Sequence, residues 1–187
     1  MDPAVYNDLA IRARTEEQAF NELYNAFLDE IYGFVMKRIG HRETCEDIVS
    51  DVFRKVFTNL NAFDPQKASF RVWLYRITTN TMTDHYRVNR NPNKGHIVDI
   101  EEALDVHDTK PNPHEIALDN EQKQLMQEHI NKLPPKYQTI IQMKYFDDMP
   151  HEEIAAIMNI KANNVGVLAH RAVKKLEKLL HTTSNAL

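Results

Sequence analysis

The chain has 187 residues, 42% of them hydrophobic and 27% charged, with a net charge of −4. That is an ordinary globular composition with room for one domain or two small ones, and any surface for a polyanion must be local rather than global. A single cysteine, Cys45, excludes an internal disulfide and a Cys-rich zinc site, and it reads as a small helix residue. No apolar run approaches membrane-spanning length and no signal peptide is visible, so the expected location is the cytosol, with no membrane partner. Four glycines among abundant Leu, Ile, Glu and Lys favour helix over sheet.

Taken in order, Met1 to Thr15 is weakly patterned and its first residues should fray. Phe20, Leu23, Tyr24, Phe27, Leu28, Ile31, Tyr32 and Val35 recur at helical spacing, and Gly40 is a plausible C-terminal stop. Thr44 with Asp47 resembles a capping box for a second helix, packed through Ile48, Val49, Val52, Phe53, Val56, Phe57 and Leu60. Its outer face carries Glu46, Asp47, Asp51, Arg54 and Lys55, which by themselves read as a solvated face. Asn61 to Ala68 is a loop, with Asp64-Pro65 as its turn signal.

Ser69 then stands at an N-cap position, and Phe70, Trp73, Leu74 and Ile77 mark one face of a long helix. The other face carries Arg71, Arg76, Asn80, Asp84, His85, Arg87 and Arg90, with Tyr86 and several Thr nearby. Between Lys67 and Lys94 there are six Lys or Arg and one acid, Asp84, in a chain that is acidic overall. That is a footprint for nucleic acid, set against the blander alternative of a solvated face. The three helices should share a core built on Phe27, Ile31, Val52, Phe53, Phe57, Trp73 and Ile77, with Trp73 as core rather than wedge.

Asn91 to Pro113 changes character: Pro92, Gly95, Pro111 and Pro113 break it, and five acids face two lysines. It reads as an acidic linker. His114 to Lys132 is again helical, with Ile116, Leu118, Leu125, Met126 and Ile130 as its apolar positions, until Leu133-Pro134-Pro135 breaks it. Pro135 opens the next helix, which Tyr137, Ile140, Ile141, Met143, Lys144, Tyr145 and Phe146 carry to Asp147-Asp148. A short helix after Pro150, a tight turn at Asn159 and a last helix from about Ala162 make a helix-turn-helix. Val165, Leu168, Ala169, Ala172, Val173, Leu176 and Leu180 would pack the last helix, while His170, Arg171, Lys174, Lys175 and Lys178 face phosphate. The fold class is therefore all-α: two small helical domains, 1–91 and 114–187, joined by a flexible acidic linker over 92–113.

The segment FRVWLYRITTNTMTDHYR resembles the promoter-melting helix of extracytoplasmic-function (ECF) sigma factors, whose pattern is F-x-x-W-L-Y-x-I-A-x-N-x-x-x-D-x-x-R. Phe70, Trp73, Leu74, Tyr75, Ile77, Asn80, Asp84 and Arg87 fall on it. CEDIVSDVFRKVF is similar to the family's E-D-L-V-Q-E-T-F-x-x-V-W, and LPPKYQTIIQMKYFDDMPHEEIAAIMNI to its second DNA-binding domain. The resemblance implies a sigma factor with core RNA polymerase, through the β′ clamp helices and the β flap, and promoter DNA as partners. It implies that Glu46, Asp47, Asp51, Arg54 and Lys55 meet the clamp helices, and that the linker follows the active-site cleft and RNA exit path. It places Asn61, Phe63, Asp64 and Lys67 in a loop that holds a flipped base. Arg71, Arg76, Asn80, Asp84, Arg87 and Arg90 fall at the minus-ten melting surface. An anti-sigma factor would cover the polymerase-binding faces.

Departures from the pattern matter. Asp148 and Asn159 stand where the family has turn glycines, and Pro150 where it has Ser; Asn tolerates a left-handed turn. In the recognition helix the family's Lys and Arg are Gly166 and Leu168. Reading of the minus-thirty-five element then falls to Asn163 and Asn164, which suit adenine edges, with Lys161 beside them and His170, Arg171, Lys174 and Lys175 on the backbone. Upstream reading should be weak, or a helper or guide should place the polymerase.

Nine histidines are scattered without metal spacing, and no phosphate loop or nucleophile motif occurs. No catalysis and no cofactor are expected. The rivals are a stand-alone helix-turn-helix regulator, which leaves the first domain without a task, and a helical interaction module that binds no DNA.

Overall fold

The computed structural model describes residues 3–89 and 125–184, and among them there are helices and turns but no strand. The chain divides into two compact units, the first carrying α1–α4 and the second most of α5–α8. The expected linker, Arg90, Ile116 and Leu118 lie outside the described residues.

In the first unit α1 spans Pro3–Arg12, within a stretch whose apolar pattern is weak. Its anchors are Leu9 and Ala10, with Ala13 just beyond, and the Tyr6 ring meets Phe27 edge-on at 4.8 Å. Small buried alanines give a weak apolar signal, so the pattern hid a docked helix. Helix α2 (Glu17–Ile39) buries Leu23, Phe27, Ile31, Phe34 and Val35. It stops at Gly40, whose φ of 70° lets its N–H reach the Met36 carbonyl at 2.9 Å.

Helix α3 (Arg42–Asn59) starts earlier than a Thr44–Asp47 capping box would allow. The His41 ring caps it instead, its Nδ1 accepting from the Thr44 N–H at 3.4 Å. Cys45, Ile48, Val49, Val52, Phe53 and Val56 face inward. Phe57, expected in the core, is 62% exposed. It lies one residue, about 100° of rotation, past Val56, so only its ring edge packs, on Phe20 at 5.1 Å.

A 3₁₀ turn (Leu60–Ala62) leads to a loop and then to α4 (Phe70–Asn89). Phe70, Val72, Leu74, Tyr75, Thr78, Thr81 and Met82 are the buried positions of α4, while Trp73 and Ile77 are half-buried at its margin. Trp73 packs against Phe63 at 5.5 Å and Phe70 at 5.9 Å, a structural setting for the ring.

In the second unit the helix over 125–131 (α5) buries Ile130, while Leu125 and Met126, expected as apolar anchors, are exposed. Gln138 closes the break that follows. It is buried, and its Nε2 donates to the carbonyls of Leu133 (2.7 Å) and Asn131 (3.0 Å). Helix α6 (Pro135–Ile141) runs into a π-turn over Gln142–Phe146, which leaves Tyr145 and Phe146 exposed rather than packed.

Asp148 turns the chain with φ 44° before α7 (His151–Met158), and Asn159 does so with φ 53° after it. The Ile160 N–H reaches back to the Ala155 carbonyl at 3.0 Å. Helix α8 (Ala162–Ser184) packs on α6. Val165, Ala169 and Ala172 are its fully buried residues, a seam of small side chains.

Candidate polymerase and nucleic-acid interfaces

Helix α4 is fixed at its start by two side chains. Ser69 Oγ accepts from the Val72 N–H at 3.3 Å, the N-cap the sequence suggests. Asn7 of α1, 63 positions earlier, accepts the Phe70 N–H at 2.7 Å. The cations behind this cap do not all face solvent. Arg71 is half-buried and pairs with Glu30 of α2 at 2.6 Å, its guanidinium stacked over Tyr75 at 5.0 Å. Tyr75 donates its hydroxyl to the same Glu30 oxygen at 2.9 Å. Arg71 therefore joins α2 to α4 and does not belong to the open basic face. A helical wheel cannot show this, because the carboxylate comes from another helix.

Further along, Arg76 is half-buried, and Asn80, Asp84 and Arg87 are exposed. Arg87 lies 3.6 Å from Asp84, a loose pair in water that contributes little to stability. Tyr86, grouped by sequence with the nucleic-acid residues, turns inward. Its hydroxyl donates to the Arg38 carbonyl at 3.3 Å, and its ring lies under the Arg38 guanidinium at 5.4 Å. Arg38, only 2% exposed, gave no sequence signal. Burial lowers its pKa from the ordinary guanidinium value and Tyr86 opposes that shift, while burial raises the Tyr86 hydroxyl.

The loop before α4 is ordered from within. Asp64 accepts from the Gln66 N–H at 3.0 Å and pairs with Lys67 at 3.2 Å, which together hold its carboxyl below the usual range. Asn61 and Lys67 are exposed and Asp64 is partly so. Phe63 is 2% exposed, edge-on to Phe70 at 5.7 Å, and is a core residue rather than an open base contact. An aromatic among polar loop residues suits either role by sequence; the neighbouring Phe70 and Trp73 decide it.

On α3, Glu46 and Asp47 are exposed, and Arg42 pairs with Glu46 at 2.8 Å. Asp51 sits between Arg54, which donates to it from two nitrogens, and Lys55 at 3.0 Å. The Arg54 bonds first, then Lys55, hold its carboxyl low. Lys55 also reaches Thr81 Oγ1 at 3.1 Å, so it ties α3 to α4 as well as lining the outer face.

Helix α8 presents Lys161 just before its start, Asn163 and Asn164 in its first turn, and His170, Arg171, Lys174, Lys175 and Lys178 beyond, all exposed. Lys175 also lies over the Tyr137 ring at 5.8 Å. Exposed amides and cations opposite a small-residue seam can bond base edges and phosphates. Among the described residues no three His, Cys, Asp or Glu gather as a metal site, and no helix is long and apolar enough to cross a membrane.

Two family models match the chain: "Sigma-70 region 2" over residues 23–91 and "Sigma-70, region 4" over residues 123–176. A region 2 followed by a region 4 defines a sigma-70-type initiation factor, which directs RNA polymerase to promoters and is not an enzyme. The ECF RNA polymerase sigma factor SigW of Bacillus subtilis is 31% identical over 173 residues, covering 88% of this chain and 90% of SigW. The ECF sigma factor BldN of Streptomyces coelicolor is 27% identical over 180 residues, covering 96% of this chain and 67% of BldN. Two solved structures share the fold. They are CnrH in complex with the cytosolic domain of CnrY (TM-score 0.65, 24% identity, 97% of this chain and 99% of that one) and the sigma factor RpoE with the anti-sigma factor NepR from Bartonella quintana (0.61, 20%, 87% and 96%). The chain belongs to the extracytoplasmic-function family of RNA polymerase sigma factors. A stand-alone regulator is thereby set aside.

Proposed function

We propose that the two units divide the work of initiation, with boundaries at 1–91 and 114–187 and the acidic 92–113 stretch as tether through the polymerase cleft. The outer face of α3, with Glu46, Asp47, Asp51, Arg54 and Lys55, docks on the β′ clamp helices, and the second unit meets the β flap. Asn80, Asp84 and Arg87 of α4, with Arg76 at the margin and Arg90 beyond, hold the separated minus-ten strand. Asn61, Asp64 and Lys67 receive a flipped base; binding it offsets the few kcal/mol of unstacking. Arg71 and Phe63 are left out of these contacts because their partners are internal. Asn163 and Asn164 read the minus-thirty-five element weakly, with Lys161, His170, Arg171, Lys174 and Lys175 on the backbone, or a helper or guide places the polymerase. The factor works in the cytoplasm on the nucleoid. An anti-sigma factor covers its polymerase-binding faces, as NepR partners RpoE.

The observation that carries the reading is the division of α4: Phe70, Leu74, Tyr75, Thr78 and Met82 are buried while Asn80, Asp84 and Arg87 stand in solvent. The test is Arg87→Ala with Arg90→Ala. Permanganate reactivity of the minus-ten region should fall while pull-down of core polymerase stays intact; equal loss of both would refute the assignment.

A further inference from the structure

The loop from Phe63 to Ser69 is gripped at both ends by the N-terminal segment, which lies ahead of the region 2 match. At one end Arg14 donates from Nη2 to the Phe63 carbonyl at 2.6 Å. At the other, Asn7 Oδ1 accepts the Phe70 N–H at 2.7 Å. Between them the Asp64 turn is closed by the Lys67 N–H on the Asp64 carbonyl (3.0 Å) and by Gln66 on its carboxylate. Helix α1 is itself docked through Leu9, Ala10 and the Tyr6–Phe27 contact, and Arg14 sits in the turn that follows it, beside buried Ala13 and with its N–H on the Ile11 carbonyl at 3.4 Å, so both pins come from the docked N-terminal segment. A short loop with both ends bonded to one rigid element keeps its exposed side chains in a narrow range of positions.

We infer that α1 is a positioning element for strand capture, and that Asn7 and Arg14 are positioning residues that set the base preference of the loop without touching DNA. This rests on the reading that Asn61, Asp64 and Lys67 receive the flipped base. Asn7 does two things at once: it satisfies a first-turn donor of α4 and fixes where the loop ends. Arg14 does the same for the carbonyl at which the loop begins. Loss of either leaves the buried Phe63 and Phe70 rings in place but frees the backbone between them.

The test uses the full-length chain with core polymerase on a promoter whose minus-ten bases are changed singly. The measured quantity is the ratio of open-complex formation between the preferred base and each alternative. A stability defect lowers all templates together, whereas a displaced loop narrows the ratio. Arg14→Ala and Asn7→Ala should each shrink the preference about three- to tenfold, inside the span that loss of one capping bond corresponds to. Asn7→Asp keeps an acceptor and should retain the preference. Arg14 is exposed, so its variant folds even where Asn7→Ala does not, and it carries the test alone. An unchanged ratio in Arg14→Ala overturns the inference. Asn61→Ala with Lys67→Ala separates the two layers. If that pair narrows the ratio and Arg14→Ala does not, only the role of α1 fails; if neither does, the strand-capture reading fails with it.

Discussion

Cys45 shows how burial alone decides a residue's chemistry. Its thiol is buried and donates to the Tyr32 carbonyl at 3.6 Å, and desolvation pushes its pKa from 9.0 up to about 11. The folded chain keeps this proton where the unfolded chain loses it. The contribution is whole below the unfolded value and is lost as pH rises through 9.0 toward about 11. Native protein should label slowly with a thiol reagent at neutral pH, and Cys45→Ala should flatten part of the alkaline fall in urea stability. Fast stoichiometric labelling of folded protein would contradict this. Asn159, at φ 53°, makes a second residue-level case. Asn159→Ala should cost about 1–2 kcal/mol of unfolding free energy, and Asn159→Gly should be close to neutral, since only a Cβ penalises the left-handed turn. Both are read from denaturant midpoints of the second unit.

Among elements, the two ends of α4 behave differently, and this separates two arginines of similar appearance. Arg71→Met removes the partner of a half-buried Glu30 and should lower the melting temperature while leaving the salt dependence of promoter binding unchanged. Arg87→Ala should do the reverse, reducing the salt slope by about one. In α8, a Cβ added at Gly166 meets nothing within 4 Å. Gly166→Lys should therefore stabilise the helix by about 0.5–1 kcal/mol and tighten upstream binding, seen by melting and by footprinting. Helix existence was readable in the sequence wherever large apolar residues kept the period, as in α2, α3 and α8. It was not readable in α1, which buries only Leu9 and Ala10, and the polar Asn7 of α1 and Arg14 just after it act on a loop some 50 to 60 residues away. The same limit explains Arg71, Phe63, Tyr86 and Phe57. Periodicity assigns a residue to a face, but the partner across the interface determines whether that face is core, ion pair or open surface.

For the whole molecule, the family it belongs to directs RNA polymerase to promoters, so polymerase and DNA have to be tested together. The direct measurement is run-off transcription with purified core polymerase, mapped to the nucleotide, with and without this chain. With the chain present, transcripts should begin at a discrete start site whose minus-ten region becomes permanganate-reactive, and Arg87→Ala should reduce both signals. Core polymerase that starts at the same scattered positions whether or not the chain is added would contradict it.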